Sequence, residues 1–334
     1  MKIGVQQSFL ELVSVNRSAI MGLSMVFIML FHQYFTSVFP FNLFHNYGHW
    51  GVDVFLFLSG MGLVNSLEKN SIKDYYKRRF MRLVPSCIFC GSLKYLVSIL
   101  LGVIVVNYSK DITLSIWALA SLDLWFIPTI IIFYLIFPIL YYLLREWRLF
   151  SFLCLVVLFF LNELTLRPLV GLNWESPVGV VSWTLERLPV FAYGIFVSIN
   201  RNIIGKRICF SFLFLLAAVF LKLIEKKGMT ASFMEVEQAC LFLSLMMGVP
   251  ALIMLFVRFL EKIPKGIYNS ISFLGVYSLE IYLVHEFILW SLIALWRNGN
   301  PWILLPFGLL LSTILAYLCK LCTRIILQNL SNNK

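Results

Sequence analysis

His32 lies late in an apolar run over residues 19–39. An imidazole changes charge near neutrality, and it can pass a proton or accept an acyl group. An ionisable group inside hydrocarbon is costly, so a residue of this kind is a functional candidate. Helix geometry sets it about 20 Å along from residue 19 and past the midplane, with residues 28, 24 and 21 on its face. Taken alone, a catalytic imidazole and a structural one satisfied by a neighbouring helix's carbonyl weigh equally.

Asp53 is the second candidate. It opens the next apolar run, in His49-Trp50-Gly51-Val52-Asp53, after a ten-residue loop that also carries His45. The positive end of the helix macrodipole favours a carboxylate in a first turn. A short loop also makes the two helices antiparallel neighbours. Asp53 therefore either orients the His32 ring, as in acid–base sites generally, or simply complements the helix start.

A third group is Lys77-Arg78-Arg79-Phe80-Met81-Arg82. Arg79 and Arg82 share a helix face, with Arg78 beside them, and guanidinium forks grip phosphate in bidentate fashion. The plainer reading is a topology signal or a contact with anionic lipid. Further along, Pro128 and Pro138 interrupt one apolar run that follows Asp123, leaving backbone groups that neighbours must satisfy. Arg187 sits inside another run, with Glu186, Glu280 or a ligand as its candidate partner. In the stretch 274–286, Ser278, Ile281 and His285 share a face while Glu280 lies well off it, a pattern too polar to face lipid.

The elements that must position these residues are membrane helices. Of the 334 residues, 60% are hydrophobic and 13% charged, far from the balance of a soluble domain. About 20 apolar residues cross the hydrocarbon. Ten runs qualify: 19–39, 50–67, 84–106, 123–144, 149–165, 178–199, 208–224, 238–258, 271–295 and 302–326. With a cytoplasmic amino terminus, nineteen of the 27 basic residues fall in inside segments and six in outside ones. The positive-inside rule then predicts an all-α polytopic protein of about ten transmembrane helices with both termini cytoplasmic. The net charge of +11 reads as topology and not as nucleic-acid binding, since no soluble segment is large enough to fold alone.

Residues 1–334 read as a single membrane domain, with no internal repeat and a first helix that is retained rather than cleaved. Cys87/Cys90 and Cys319/Cys322 have redox or metal spacing without nearby third ligands, so they read as packing residues and no metal is expected.

In order, these segments resemble the acyltransferase family 3 membrane proteins, O-acyltransferases of cell-surface glycans. The matching residues are Leu30-Phe31-His32; Gly51-Val52-Asp53-Val54-Phe55 through Leu58-Ser59-Gly60; and Tyr76-Lys77-Arg78-Arg79 through Arg82-Leu83-Val84-Pro85. The set continues with Leu124-Trp125-Phe126, Phe133-Tyr134, Phe137-Pro138, Arg187-Leu188-Pro189, and Leu274-Gly275 through Ile281-Tyr282-Leu283 to His285. The resemblance implies that His32 is the essential first-span histidine and that Arg79 and Arg82 meet an acyl-CoA donor. The family usually carries an arginine eleven residues before the histidine. Here Met21 stands at that place, Gly22 matches the family's next glycine, and Arg17 lies fifteen residues back. The chain resembles the stand-alone type without a C-terminal hydrolase-like domain.

The residues and the resemblance lead to one expectation. An acetyl or similar short acyl group would pass from acetyl-CoA to a hydroxyl of a lipopolysaccharide, capsule or lipid-linked glycan at the bacterial inner membrane. His32 and Asp53 would serve as the catalytic pair, with Arg78, Arg79 and Arg82 at the donor. The rival reading is a transporter or flippase for a lipid-linked glycan or acyl group, since intramembrane His, Arg and Glu beside broken helices also suit a substrate path.

Overall fold

The computed structural model describes residues 8–32, 48–101, 124–170, 176–201, 203–225, 234–296 and 300–332. Among them every regular element is helical. In chain order these are α1 (Phe9–Phe31), α2 (Trp50–Glu68), α3 (Ile72–Leu101), α4 (Phe126–Glu146) and α5 (Arg148–Leu161). A π-helical turn (Asn162–Leu166) leads from α5 into α6 (Arg167–Val170). Then follow α7 (Pro177–Ile199), α8 (Ile203–Glu225), α9 (Met234–Leu260), α10 (Lys265–Val276), α11 (Ser278–Leu295) and α12 (Pro301–Asn332).

Eight of the described helices are long and apolar enough to cross a membrane. They coincide with eight of the ten expected spans. The expected span 271–295 instead falls on α10 and α11, which meet at 86° and count as a ninth crossing if taken together. The expected span 208–224 falls on Ile208–Lys222 of α8, an apolar stretch shorter than a full crossing.

Two helices begin well before their apolar runs, because caps rather than hydropathy set their starts. At α1 the Ser8 backbone N–H donates to Glu11 Oε2 at 2.9 Å, and the Glu11 N–H donates to Ser8 Oγ at 3.3 Å, a reciprocal capping box. At α3 the Ser71 hydroxyl donates to Asp74 Oδ2 at 2.8 Å and accepts from the Asp74 N–H at 3.1 Å. The basic run 77–82 therefore lies on helix. α1 also ends at Phe31, so His32 terminates the helix instead of lying inside it. The expected continuation to residue 39 falls outside the described residues, as do His45 and Asp123.

By packing, the chain divides into two compact units. The first comprises Met1–Ile20, Val52–Tyr75 and Thr129–Tyr268. Within it α2 and α7 touch backbone to backbone: a Cβ at Gly60 would collide with the Phe191 carbonyl, and one at Gly194 with the Phe57 carbonyl. Small residues permit such approach where dispersion, not water exclusion, drives association. Phe191 stacks on Phe133 of α4 at 4.5 Å between centroids. In α9, Pro250 breaks the helical ladder. Ser211 of α8 mends it, donating to the Met247 carbonyl at 2.9 Å and accepting from the Ala251 N–H at 3.1 Å.

The second unit comprises Met21–Gly51, Tyr76–Pro128 and Asn269–Lys334. A Cβ at Gly22 of α1 would collide with the Ile271 carbonyl of α10, so this glycine is required by contact. Leu30 packs on Leu289 of α11 and Leu305 of α12. All seven cysteines are free thiols, with Cys87, Cys90 and Cys319 buried.

Gly194→Ala is expected to destabilise the detergent-solubilised protein by about 1–3 kcal/mol, because overpacking displaces backbone. Gly266→Ala, with open space around it, should leave the melting temperature within a few degrees of the original. Thermal unfolding followed by tryptophan fluorescence compares the two.

Candidate active site

At the end of α1 the Ile28 carbonyl accepts from the His32 backbone N–H at 3.2 Å, and the His32 ring turns back to the same oxygen. His32 Nδ1 lies 2.9 Å from the Ile28 carbonyl oxygen, and a carbonyl can only accept, so Nδ1 carries the proton. On α11, His285 is buried at 1% exposure, with its Nδ1 2.8 Å from the Tyr282 carbonyl, and the same logic protonates it there. The neutral His285 ring then presents a lone pair at Nε2. That lone pair faces His32 Nδ1 at 3.3 Å, the two rings edge to face at 4.9 Å. The shared Nδ1–H of His32 thus serves two acceptors, and in the neutral ring Nε2 is the basic nitrogen. Two helix carbonyls choose both tautomers. Phe31 at 5.1 Å flanks His32, and Tyr282 packs between His285 at 5.4 Å and Phe126 at 4.9 Å.

Five residues before His285, Glu280 opens the first turn of α11 and is also buried. Its Oε1 accepts from the Ser86 hydroxyl of α3 at 3.1 Å, and its Oε2 lies 3.7 Å from Lys320 Nζ of α12. Lys320 also donates to the Val276 carbonyl at 2.6 Å, where α10 breaks from α11, and lies 4.6 Å over the Tyr277 ring. Ser86, Glu280 and Lys320 line an open pocket of about 320 Å³ together with Arg82, Arg324 and Gln328. Of the three bases expected at a donor, Arg82 lines this pocket. Arg79, three residues earlier, is half-buried with Nε lacking a hydrogen-bond partner, and Arg78 is exposed.

Asp53 belongs to the first unit, on α2. Its Oδ1 accepts from Arg187 Nη1 of α7 at 2.7 Å, both side chains being almost wholly buried. Arg187 Nη2 lies 3.1 Å from Glu186 Oε1, Glu186 Oε2 pairs with Arg167 of α6, and Arg167 reaches Glu163 Oε2 at 3.3 Å. Three carboxylates and two guanidinium groups thus alternate in one row, buried except at the half-buried Arg167. The π-helical turn carries Glu163 into it, a common use of such turns at functional places. Trp183 and Phe242 face both cations, the ring centroids 5.0–5.9 Å from the guanidinium carbons. Of the partners expected for Arg187, Glu186 is present and Asp53 joins it, while Glu280 pairs with Ser86 and Lys320. Arg17 donates to the Leu58 carbonyl at 3.0 Å.

Lys320 and Arg324 had entered the sequence reading only as inside charges. Their spacing of four along α12 puts both on one face, which was the available signal. Glu163 gave none, because a five-residue π-turn has no hydropathy signature.

Residues 19–321 match the family model described as an acyltransferase domain, so the chain belongs to acyltransferase family 3 and is a membrane acyltransferase. Comparison with curated proteins and with solved structures found no match.

Arg187→Met strands Asp53 as a buried charge and leaves Glu186 with Arg167 alone, and is expected to cost about 3–5 kcal/mol of stability. Adding Asp53→Asn removes the stranded charge, so the double variant should be more stable than Arg187→Met alone. A double-mutant cycle on thermal midpoints in detergent measures that coupling.

Proposed function

We propose that this acyltransferase moves an acetyl or similarly short acyl group from acyl-CoA to a hydroxyl of a cell-surface or lipid-linked glycan. It would work in the bacterial inner membrane, crossing it about ten times with both termini in the cytoplasm. The observation that carries the reading is the relay from Tyr282 through His285 to His32, which leaves His32 Nε2 unprotonated.

In the transfer step the acceptor hydroxyl oxygen forms its new bond to the thioester carbonyl carbon, and its proton passes to His32 Nε2. The carbon–sulfur bond then breaks, and the leaving thiolate takes that proton to become free CoA. While His32 holds the extra proton it is an imidazolium. Its Nδ1–H bonds to Ile28 and His285 are then charge-assisted, and therefore stronger than in the ground state. His285 is a positioning residue that favours the charged form of the base. Arg79 and Arg82, with Arg78 beside them, meet the phosphates of acetyl-CoA. Asp53 joins the catalytic group as a positioning residue, acting through its bond to Arg187.

His32→Ala is expected to lower transfer by about 10²–10⁴-fold. Glycan O-acetylation measured in cells with unchanged protein levels tests it, and retained acetylation would sink the reading. His285→Phe should lower kcat about 10–100-fold with little change in the KM for acetyl-CoA, since the lost bond strengthens only with charge. His285→Gln, which offers an amide oxygen to the His32 N–H, should recover part of that loss. Thiol release from acetyl-CoA by the purified protein separates transfer from the rival reading. A flippase would move glycan without releasing thiol.

A further inference from the structure

The pocket at the start of α11 holds more positive charge than its own carboxylate balances. Arg82, Lys320 and Arg324 face it, against the single acid Glu280. Lys320 and Arg324 stand one turn apart on α12, and Arg82 comes from α3, so three cations converge from two helices. Glu280 forms the floor beside Ser86; its Oε2 is buried and accepts no hydrogen bond. A ligand that fits must therefore bring phosphate to the rim and an N–H or O–H donor to the floor.

A second feature concerns reach. Glu280 and His285 lie five residues apart on α11, about 7.5 Å along its axis, and on different faces. A phosphorylated donor seated at the rim needs a long, narrow arm to bring its carbonyl to His32. Pantetheine is such an arm, whereas a small acyl phosphate has none.

Building on the acyl-CoA reading above, we infer that Lys320 and Arg324 of the last helix, with Arg82, seat the nucleotide phosphates of the donor while Glu280 accepts a hydrogen bond from it. The last helix then becomes part of the donor site. Lys320 has a second task, because the same amine satisfies the Val276 carbonyl at the helix break. Arg324 is exposed and carries no such duty, so it gives the cleaner variant.

The experiment titrates CoA into the purified protein in nanodiscs of phosphatidylcholine and follows binding by calorimetry. Lys320→Gln and Arg324→Gln are each expected to weaken CoA about tenfold and to flatten the salt dependence of binding. Arg258→Gln, an exposed base on α9, serves as the control for charge in general and should bind CoA as the unaltered protein does. If both pocket variants bind CoA as tightly as the unaltered protein, and that protein still releases thiol from acetyl-CoA, the pocket assignment falls while the donor reading stands. If the unaltered protein neither binds CoA nor releases thiol, the donor reading falls and takes the assignment with it. The same variants are then tested on vesicles containing phosphatidylglycerol. A loss there, with CoA binding intact, would make the pocket a lipid headgroup site and overturn the inference.

Discussion

Every polar group that these helices carry into hydrocarbon must find its partner inside the protein, and that requirement shapes most of what the structure contains. Water cannot satisfy a carbonyl freed by a proline, a helix end or a bend. Side chains from other helices do so instead. Ser211 is inserted into the broken ladder of α9, Arg17 takes the Leu58 carbonyl, and Lys320 takes the Val276 carbonyl where α10 and α11 part. Each is a polar contact in a largely apolar chain, and those of Arg17 and Lys320 fall on or beside helices that bear a candidate residue, Asp53 on α2 and Glu280 on α11.

The same requirement acts on the histidines, and there it becomes chemistry. An imidazole that ends a helix is drawn to the carbonyl one turn back. That bond decides which nitrogen keeps its proton. In His32 and His285 alike the carbonyl holds Nδ1, so the pair runs in one direction and exposes a single basic nitrogen. Both rings are oriented by carbonyls, while the row from Asp53 to Glu163 matches its own charges within the first unit. Two guanidinium groups among three carboxylates keep α2, α6 and α7 in register, and Arg187 is bonded from two sides.

Much of this was legible in the sequence, and the limits have physical causes. Apolar length marks a crossing, so eight of the ten expected spans meet a described helix of membrane length, but it does not mark a cap, and Ser8/Glu11 and Ser71/Asp74 start α1 and α3 many residues earlier. His32 and Asp53 stood out because ionisable groups are rare in apolar runs. Their partners did not, since a contact over 253 positions between His32 and His285 leaves no periodic trace. Arg187 showed the same gap: several carboxylates were within conceivable reach, and only packing distinguishes them. The family arginine replaced by Met21 is a departure that sequence spacing made plain. Arg17 does not stand free to take its place, because its guanidinium is already engaged on α2.

Basic residues posed a different difficulty. A lysine at the edge of a span obeys the positive-inside rule whether or not it also binds anything. Counting Lys320 and Arg324 as topology was therefore sound and still incomplete. What separates the two roles is convergence: a topological charge needs only the correct side, whereas a binding charge needs neighbours aimed at a common space. Arg82, Lys320 and Arg324 meet that stricter condition around one pocket, and Glu280 beneath them carries an oxygen without a hydrogen bond. α11 joins that pocket to the histidine pair within about a turn and a half. Its unusual polarity for a membrane helix is accounted for at both ends, since one acid serves the basic pocket and one imidazole holds the base.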